Sequence, residues 1–132
     1  MSGGFSIEII NPDKSFLSKE NVSEVVVPAY EGEMGILKDH ISIISFLKPG
    51  IIKIFVGSEE EKFYVEDGIL EFKDNNLSIL TSYIFDVKNI NKDEVNSSIS
   101  DTVKELEKDN LDDQKKYLLN HKIEILKSIK LN

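Results

Sequence analysis

The residues that punctuate a chain are not spread evenly along this one. All seven glycines lie at or before Gly68, all three prolines at or before Pro49, and all seven phenylalanines at or before Phe85. The last third contains no Gly, no Pro and a single aromatic, Tyr117. Turn punctuation and aromatic side chains belong to β structure, and their absence suits helices. The 132 residues therefore divide into a β-rich first part and a helical second part. We place the domains at 1–88 and 89–132.

The first part reads as short strands separated by turns. FSIEII puts Phe5, Ile7 and Ile9 on one face, and Asn11-Pro12-Asp13 breaks the run. VSEVVV, from Val22 to Val27, stops at Pro28. SIISFL stops at Lys48-Pro49-Gly50, and IIKIFV at Gly57-Ser58. KFYVE runs into Asp67-Gly68, a two-residue hairpin signal. ILEFK and LSILT flank Asp74-Asn75-Asn76. Turns at intervals of about 8–12 residues predict an antiparallel β sandwich or barrel.

The second part has helical period. Asn91-Lys92-Asp93-Glu94 fits a capping box, in which Asn91 accepts from an early backbone N–H and Glu94 reaches back. Val95, Ile99, Val103 and Leu106 then form one apolar stripe. After a break at Asp109-Asn110, Asp112 and Asp113 fall in a first turn, where carboxylates favour the helix dipole. Leu111, Leu118 and Ile125 recur every seven residues, with Leu119, Ile123 and Leu126 in the adjacent row. The expectation is an antiparallel two-helix hairpin.

Charge excludes whole classes of function. The chain carries 24 carboxylates against 16 basic residues, a net charge of -8, and every basic residue is Lys. Nucleic-acid affinity rests on neutralising phosphates, so DNA and RNA are poor partners. With no Cys there is no thiol nucleophile, thiolate metal site or disulfide. The N-terminal residues lack a signal-peptide pattern. No apolar run approaches the roughly 20 residues that cross a bilayer, so a membrane role is expected to come through a partner.

The search for catalytic chemistry yields little. There is no Gly-rich phosphate loop and no nucleophile elbow. His40 adjoins Asp39, but neighbours in an extended chain point to opposite faces. His121 lies in a Lys-rich helical stretch and reads as a surface residue. Glu31 and Glu33 put two carboxylates in one Gly-pivoted loop, the pairing that glycoside hydrolysis uses. The plainer reading is a solvated turn. Glu59-Glu60-Glu61 reads as a solvated hairpin tip.

One string carries a family resemblance. Residues 27–54, VPAYEGEMGILKDHISIISFLKPGIIKI, resemble the signature region of the epsilon subunit of F-type ATP synthases. The matching residues are Glu31-Gly32-Glu33-Met34-Gly35-Ile36, then His40, then Phe46-Leu47-Lys48-Pro49-Gly50. Gly68-Ile69-Leu70-Glu71 resembles the family's Gly-Gly strand start, with Asp67 replacing the first Gly. The order of parts matches as well.

The resemblance implies a central-stalk, or rotor, subunit with no chemistry of its own. It joins the gamma subunit to the polar loops of the membrane rotor ring in a proton-translocating ATP synthase. It sits peripherally on the cytoplasmic face of a bacterial inner membrane. It also implies a hairpin that can fold down, or extend toward the catalytic alpha/beta head and inhibit hydrolysis. By this reading Glu31, Glu33 and His40 meet the ring. Strand residues that are apolar on both faces, Val25, Val26, Val27, Ile41, Ile43, Ile44 and Phe46, supply the gamma contact. Val95, Ile99, Val103, Leu106, Leu118 and Ile125 pack the regulatory hairpin.

No cofactor is expected. Relatives that clamp ATP carry Asp and several Arg at the first helix, where this chain has Asn91, Glu94, Asp101 and Glu105. Two other readings stand beside this one: a small β-sandwich enzyme using Glu31 and Glu33, and a free-standing protein-binding module.

Overall fold

The computed structural model describes residues 3–131. They form two units that meet between Asp86 and Val87. The first holds ten strands: β1 (Phe5–Asn11), β2 (Lys14–Val22), β3 (Glu24–Ala29), β4 (Gly32–Leu37), β5 (Ile43–Leu47), β6 (Gly50–Val56), β7 (Glu59–Val65), β8 (Gly68–Lys73), β9 (Asn76–Leu80) and β10 (Ile84–Asp86). The second holds a short 3-10 turn, Val87–Asn89, then α1 (Lys92–Leu106) and α2 (Asp113–Leu131).

The strands form one ladder in the order β10-β7-β6-β3-β5-β8-β9-β1-β2, with β4 also on β3. The ladder folds over at β3, whose only registered pair with β5 is Ala29 opposite Leu47. Its far edge returns over the near one. Phe16 of β2 packs edge-on against Phe63 of β7, and Lys19 of β2 pairs with Glu61 of β7. The result is a closed sandwich. Alternate residues fill it: Phe5, Ile7 and Ile9 from β1, Val25 and Val27 from β3, Ile52 and Ile54 from β6, Leu70 and Phe72 from β8, Leu77 and Ile79 from β9. Each such side chain contributes about 1.5–3 kcal/mol on burial.

Four expectations change. The pairs are antiparallel except one: β1 runs parallel to β9, with Ser6 opposite Asn76 and Ile10 opposite Leu80. These strands share no hairpin, so nothing forces them antiparallel. Second, residues 14–22 and 32–37 are strands although their sequences are not rich in β-formers. Third, Asp67-Gly68 is not a hairpin, because β7 pairs with β6 and β10 while β8 pairs with β5 and β9. A Cβ at Gly68 would lie 2.9 Å from the Leu80 carbonyl oxygen, so close backbone approach, rather than a turn, demands glycine there. A tight hairpin turn falls instead at Asp74-Asn75, both with positive φ.

The fourth lies in the hairpin. Asn91 Oδ1 accepts from the backbone N–H of Asp93 at 3.0 Å and of Glu94 at 3.2 Å. Asp112, expected inside α2, instead precedes it and accepts from the Lys115 N–H at 2.7 Å. Buried Val95 and Thr102, with half-buried Ile99 and Leu106, form the α1 stripe. Val103 is exposed, because the 3.6-residue period carries the stripe through 102. On α2 the buried row is Leu119, Ile123, Leu126 and Ile129, while Leu118 and Ile125 are half-buried beside it. Lys115 and Glu105 link the helices at 3.5 Å.

Candidate functional site

The strand pairings on the outer side of β5, β8, β9 and β1 explain its surface. Phe46 stands opposite Ile69, Ile69 opposite Leu80, and Leu80 opposite Ile10. Phe46, Ile69 and Leu80 are all exposed, an apolar row across the strands that no core residue covers. Ile44 extends it along β5 and is 66% exposed. Large apolar side chains gathered in this way mark a docking surface, whereas scattered ones do not.

Two grooves of similar size share this surface. The first, about 560 Å³, is lined by Pro12, Tyr30, Phe46, Ile69, Leu80 and, at its polar end, Asp67 and Ser82. The second, about 570 Å³, lies between the β3–β4 tip and β5. Glu31, Glu33, Ile43, Ile44 and Phe46 line it. Tyr30 and Phe46 belong to both. Glu31 occupies the turn and Glu33 the start of β4, and both are exposed.

The structure thus brings Glu31 and Glu33 together with Ile43 and Phe46, and separates other expected partners. Val25 and Val27 are each 0% exposed. They fill the sandwich and offer nothing to an external partner, because strand alternation turns them inward while Val26 points out. His40 follows β4 at the end opposite Glu33, beyond Leu37, which is itself about 13 Å from Glu33 at the rise of a strand. Its Nδ1 lies 2.8 Å from the Ile41 carbonyl oxygen, to which it donates, and its ring meets Phe72 edge-on. Ile41 beside it is exposed.

Residues that the sequence marks only as turn or loop positions hold these loops. Asp39 N–H donates to Asn75 Oδ1 at 2.7 Å, and Asn75 Nδ2 donates to Asp39 Oδ1 at 2.9 Å. Both residues have left-handed backbone, so this reciprocal pair fastens the His40 loop to the β8–β9 turn. Asp67 Oδ1 accepts from Ser82 N–H at 3.0 Å and Ser82 Oγ at 2.7 Å. Tyr64 is fully buried beside Tyr83 and Phe85. Burial, then the Glu66 and Tyr83 groups beside it, push its hydroxyl far above the usual tyrosine range. Among the described residues, no group of three or more His, Asp or Glu side chains is placed to hold a metal ion.

Comparison with known proteins adds the family. The domain described as ATP synthase, Delta/Epsilon chain, beta-sandwich domain matches residues 4–86. An ATP synthase epsilon chain from Pelagibacter ubique is 62% identical over 129 residues, 98% of this chain and 99% of that one. The chain belongs to the ATP synthase epsilon-chain family. An epsilon chain from Rhizobium etli is 35% identical over 108 residues, 81% of this chain and 79% of its own. The epsilon-family fold also recurs in solved assemblies. A chain of the Euglena gracilis mitochondrial ATP synthase matches with a TM-score of 0.75 at 18% identity, over 98% of this chain and 81% of that one. One from the Tetrahymena thermophila central stalk and c-ring matches with 0.66 at 20% identity, over 95% of each. The β sandwich followed by two helices is thus the epsilon-family arrangement, as expected from the sequence.

Proposed function

We propose that this chain is a non-catalytic rotor subunit of a proton-translocating ATP synthase, joining the gamma subunit to the membrane ring. The observation that carries the proposal is the exposed Phe46–Ile69–Leu80 row on a closed, well-filled sandwich. A part that transmits torque needs a stiff body and a permanent interface, and permanent interfaces resemble a core cut in half. The gamma contact falls on Ile44, Phe46, Ile69 and Leu80; Ile43, opposite Phe72, packs against the core instead. The ring contact falls on Glu31 and Glu33 at the adjoining groove. His40 and Ile41 serve a separate contact at the far end of β4.

The subunit works peripherally, at the cytoplasmic face of the inner membrane. No helix among the described residues is long and apolar enough to cross a bilayer. Residues 1–88 act as the docking module and residues 89–132 as a regulatory hairpin that engages the catalytic head. The enzyme reading has weaker support. A carboxyl acting as general acid is held in a low-dielectric pocket, whereas Glu31 and Glu33 stand in solvent.

The test is a pull-down from native membranes with the tagged full chain. Stoichiometric recovery of gamma and ring subunits is expected, with no hydrolytic turnover by the isolated chain. Recovery of the chain alone would overturn the proposal.

A further inference from the structure

Along the outer side of β8, alternation places Ile69 and Glu71 on one face, and Asp67, just before the strand, lines the same groove as Ile69, Phe46 and Leu80. Ile69 is the middle of the apolar row, and a carboxylate flanks it toward each end of the strand: Glu71 roughly 7 Å away at the rise of a strand, and Asp67 in the groove that Ile69 lines. Both acids are exposed. Asp67 lines the polar end of the first groove. Its Oδ1 is committed to Ser82, which fixes the carboxylate in place, while Oδ2 takes no hydrogen bond from a described residue. Glu71 lies between Ile44 of β5 and Ser78 of β9 and has no basic residue opposite it on either strand.

We infer that the segment of the gamma-type subunit seated on this row carries cationic side chains on both sides of an apolar one, and that Asp67 and Glu71 receive them. The inference rests on the gamma-docking reading above and adds the partner's chemistry to it. The occupant is set by charge complementarity. An apolar ridge alone would satisfy Phe46, Ile69 and Leu80 but would leave two carboxylates desolvated at its flanks, which costs free energy unless cations meet them. An amphipathic helix with basic residues about one turn before and after an apolar anchor has the required spacing. Rim charges of this kind act mainly on association rate and salt dependence.

The experiment measures association of the full chain with its own gamma-type subunit at low and high salt. The variants are Asp67→Asn, Glu71→Gln, the double variant and Ile69→Asp. Asp67→Asn keeps an oxygen for Ser82 and removes only the charge, so the fold is preserved. Each single neutralisation is expected to weaken binding roughly threefold to tenfold at low salt, with the difference shrinking at 0.5 M salt. The double variant should show a flatter salt dependence, and Ile69→Asp should abolish binding. If Ile69→Asp abolishes binding while the neutral variants bind as the parent at every salt concentration, gamma docks here without cations and the inference fails. If Ile69→Asp binds normally, gamma docks elsewhere and the underlying reading fails. Self-association of the chain through this face, lost in Ile69→Asp, would overturn both.

Discussion

At the scale of single residues, the outcome turns on which way each side chain points. Val25 and Val27 belong to the sandwich interior, and Phe46 and Ile69 to its outside. The three consecutive valines at 25–27 gave no sign of this, because composition is the same on both faces when both are covered or meant to be. Glu33→Lys should loosen coupling of proton flow to ATP synthesis while leaving the complex assembled, since an exposed pair is worth about 1 kcal/mol or less. ATP synthesis in inverted vesicles, beside crosslinking of this loop to the ring, checks it, and unchanged values of both would remove Glu33 from the contact. Asn75→Ala should destabilise the chain by about 1–2 kcal/mol, losing the Asp39 pair and forcing Ala into left-handed backbone, and Asn75→Gly by less. Urea unfolding distinguishes the two. Tyr64 predicts a pH effect. Its folded hydroxyl stays protonated where the unfolded chain ionises near 10, so stability falls as pH rises through about 10. Urea midpoints at pH 9 and pH 11 should differ less for Tyr64→Phe than for the parent.

At the scale of elements, the sequence was legible where period and punctuation agreed. The Asn91 cap, the two helices and the strands around Ile7, Ile52, Leu70 and Ile79 all follow from it. It was illegible where tertiary pairing overrode local preference. Lys14–Val22 is polar and half-exposed, and it becomes a strand because β1 offers a free edge. Gly32–Leu37 becomes one because β3 does. In the hairpin, Val95→Ala should cost more than 1 kcal/mol and exposed Val103→Ala less than about 0.5 kcal/mol, measured by thermal unfolding. Equal effects would restore the stripe through Val103. Thr102→Val should be near neutral, because the Thr102 hydroxyl bonds only back to the Ser98 carbonyl at 2.7 Å and leaves no partner stranded. Glu94, Asp101 and Glu105 on α1 would repel a polyphosphate, and an Arg-free chain has no bidentate phosphate grip. Calorimetric titration with Mg-ATP should show no saturable binding tighter than about 1 mM.

At the scale of the whole molecule, charge is divided as sharply as structure. Residues 1–86 hold 15 carboxylates and seven lysines, whereas residues 87–132 hold nine of each. The entire net charge of -8 therefore resides in the β unit. Self-repulsion of that size is relieved by screening. The isolated β unit should gain thermal stability as salt rises from about 20 to about 300 mM, while the hairpin segment alone, being short, should stay largely unfolded. Circular dichroism of the two pieces reads both outcomes.

The parallel pairing of β1 with β9 sets an order of events during synthesis. Ile7 and Ile9 leave the ribosome early, yet their neighbours Leu77 and Ile79 come some 70 positions later. Until then the first strand has only β2 beside it, and its apolar side chains wait without a lid. Contacts this distant along a chain slow folding and prolong exposure of sticky surface. The nascent β unit can close its sheet only when its own final strands arrive. The hairpin is made last, after the final strand of the β unit.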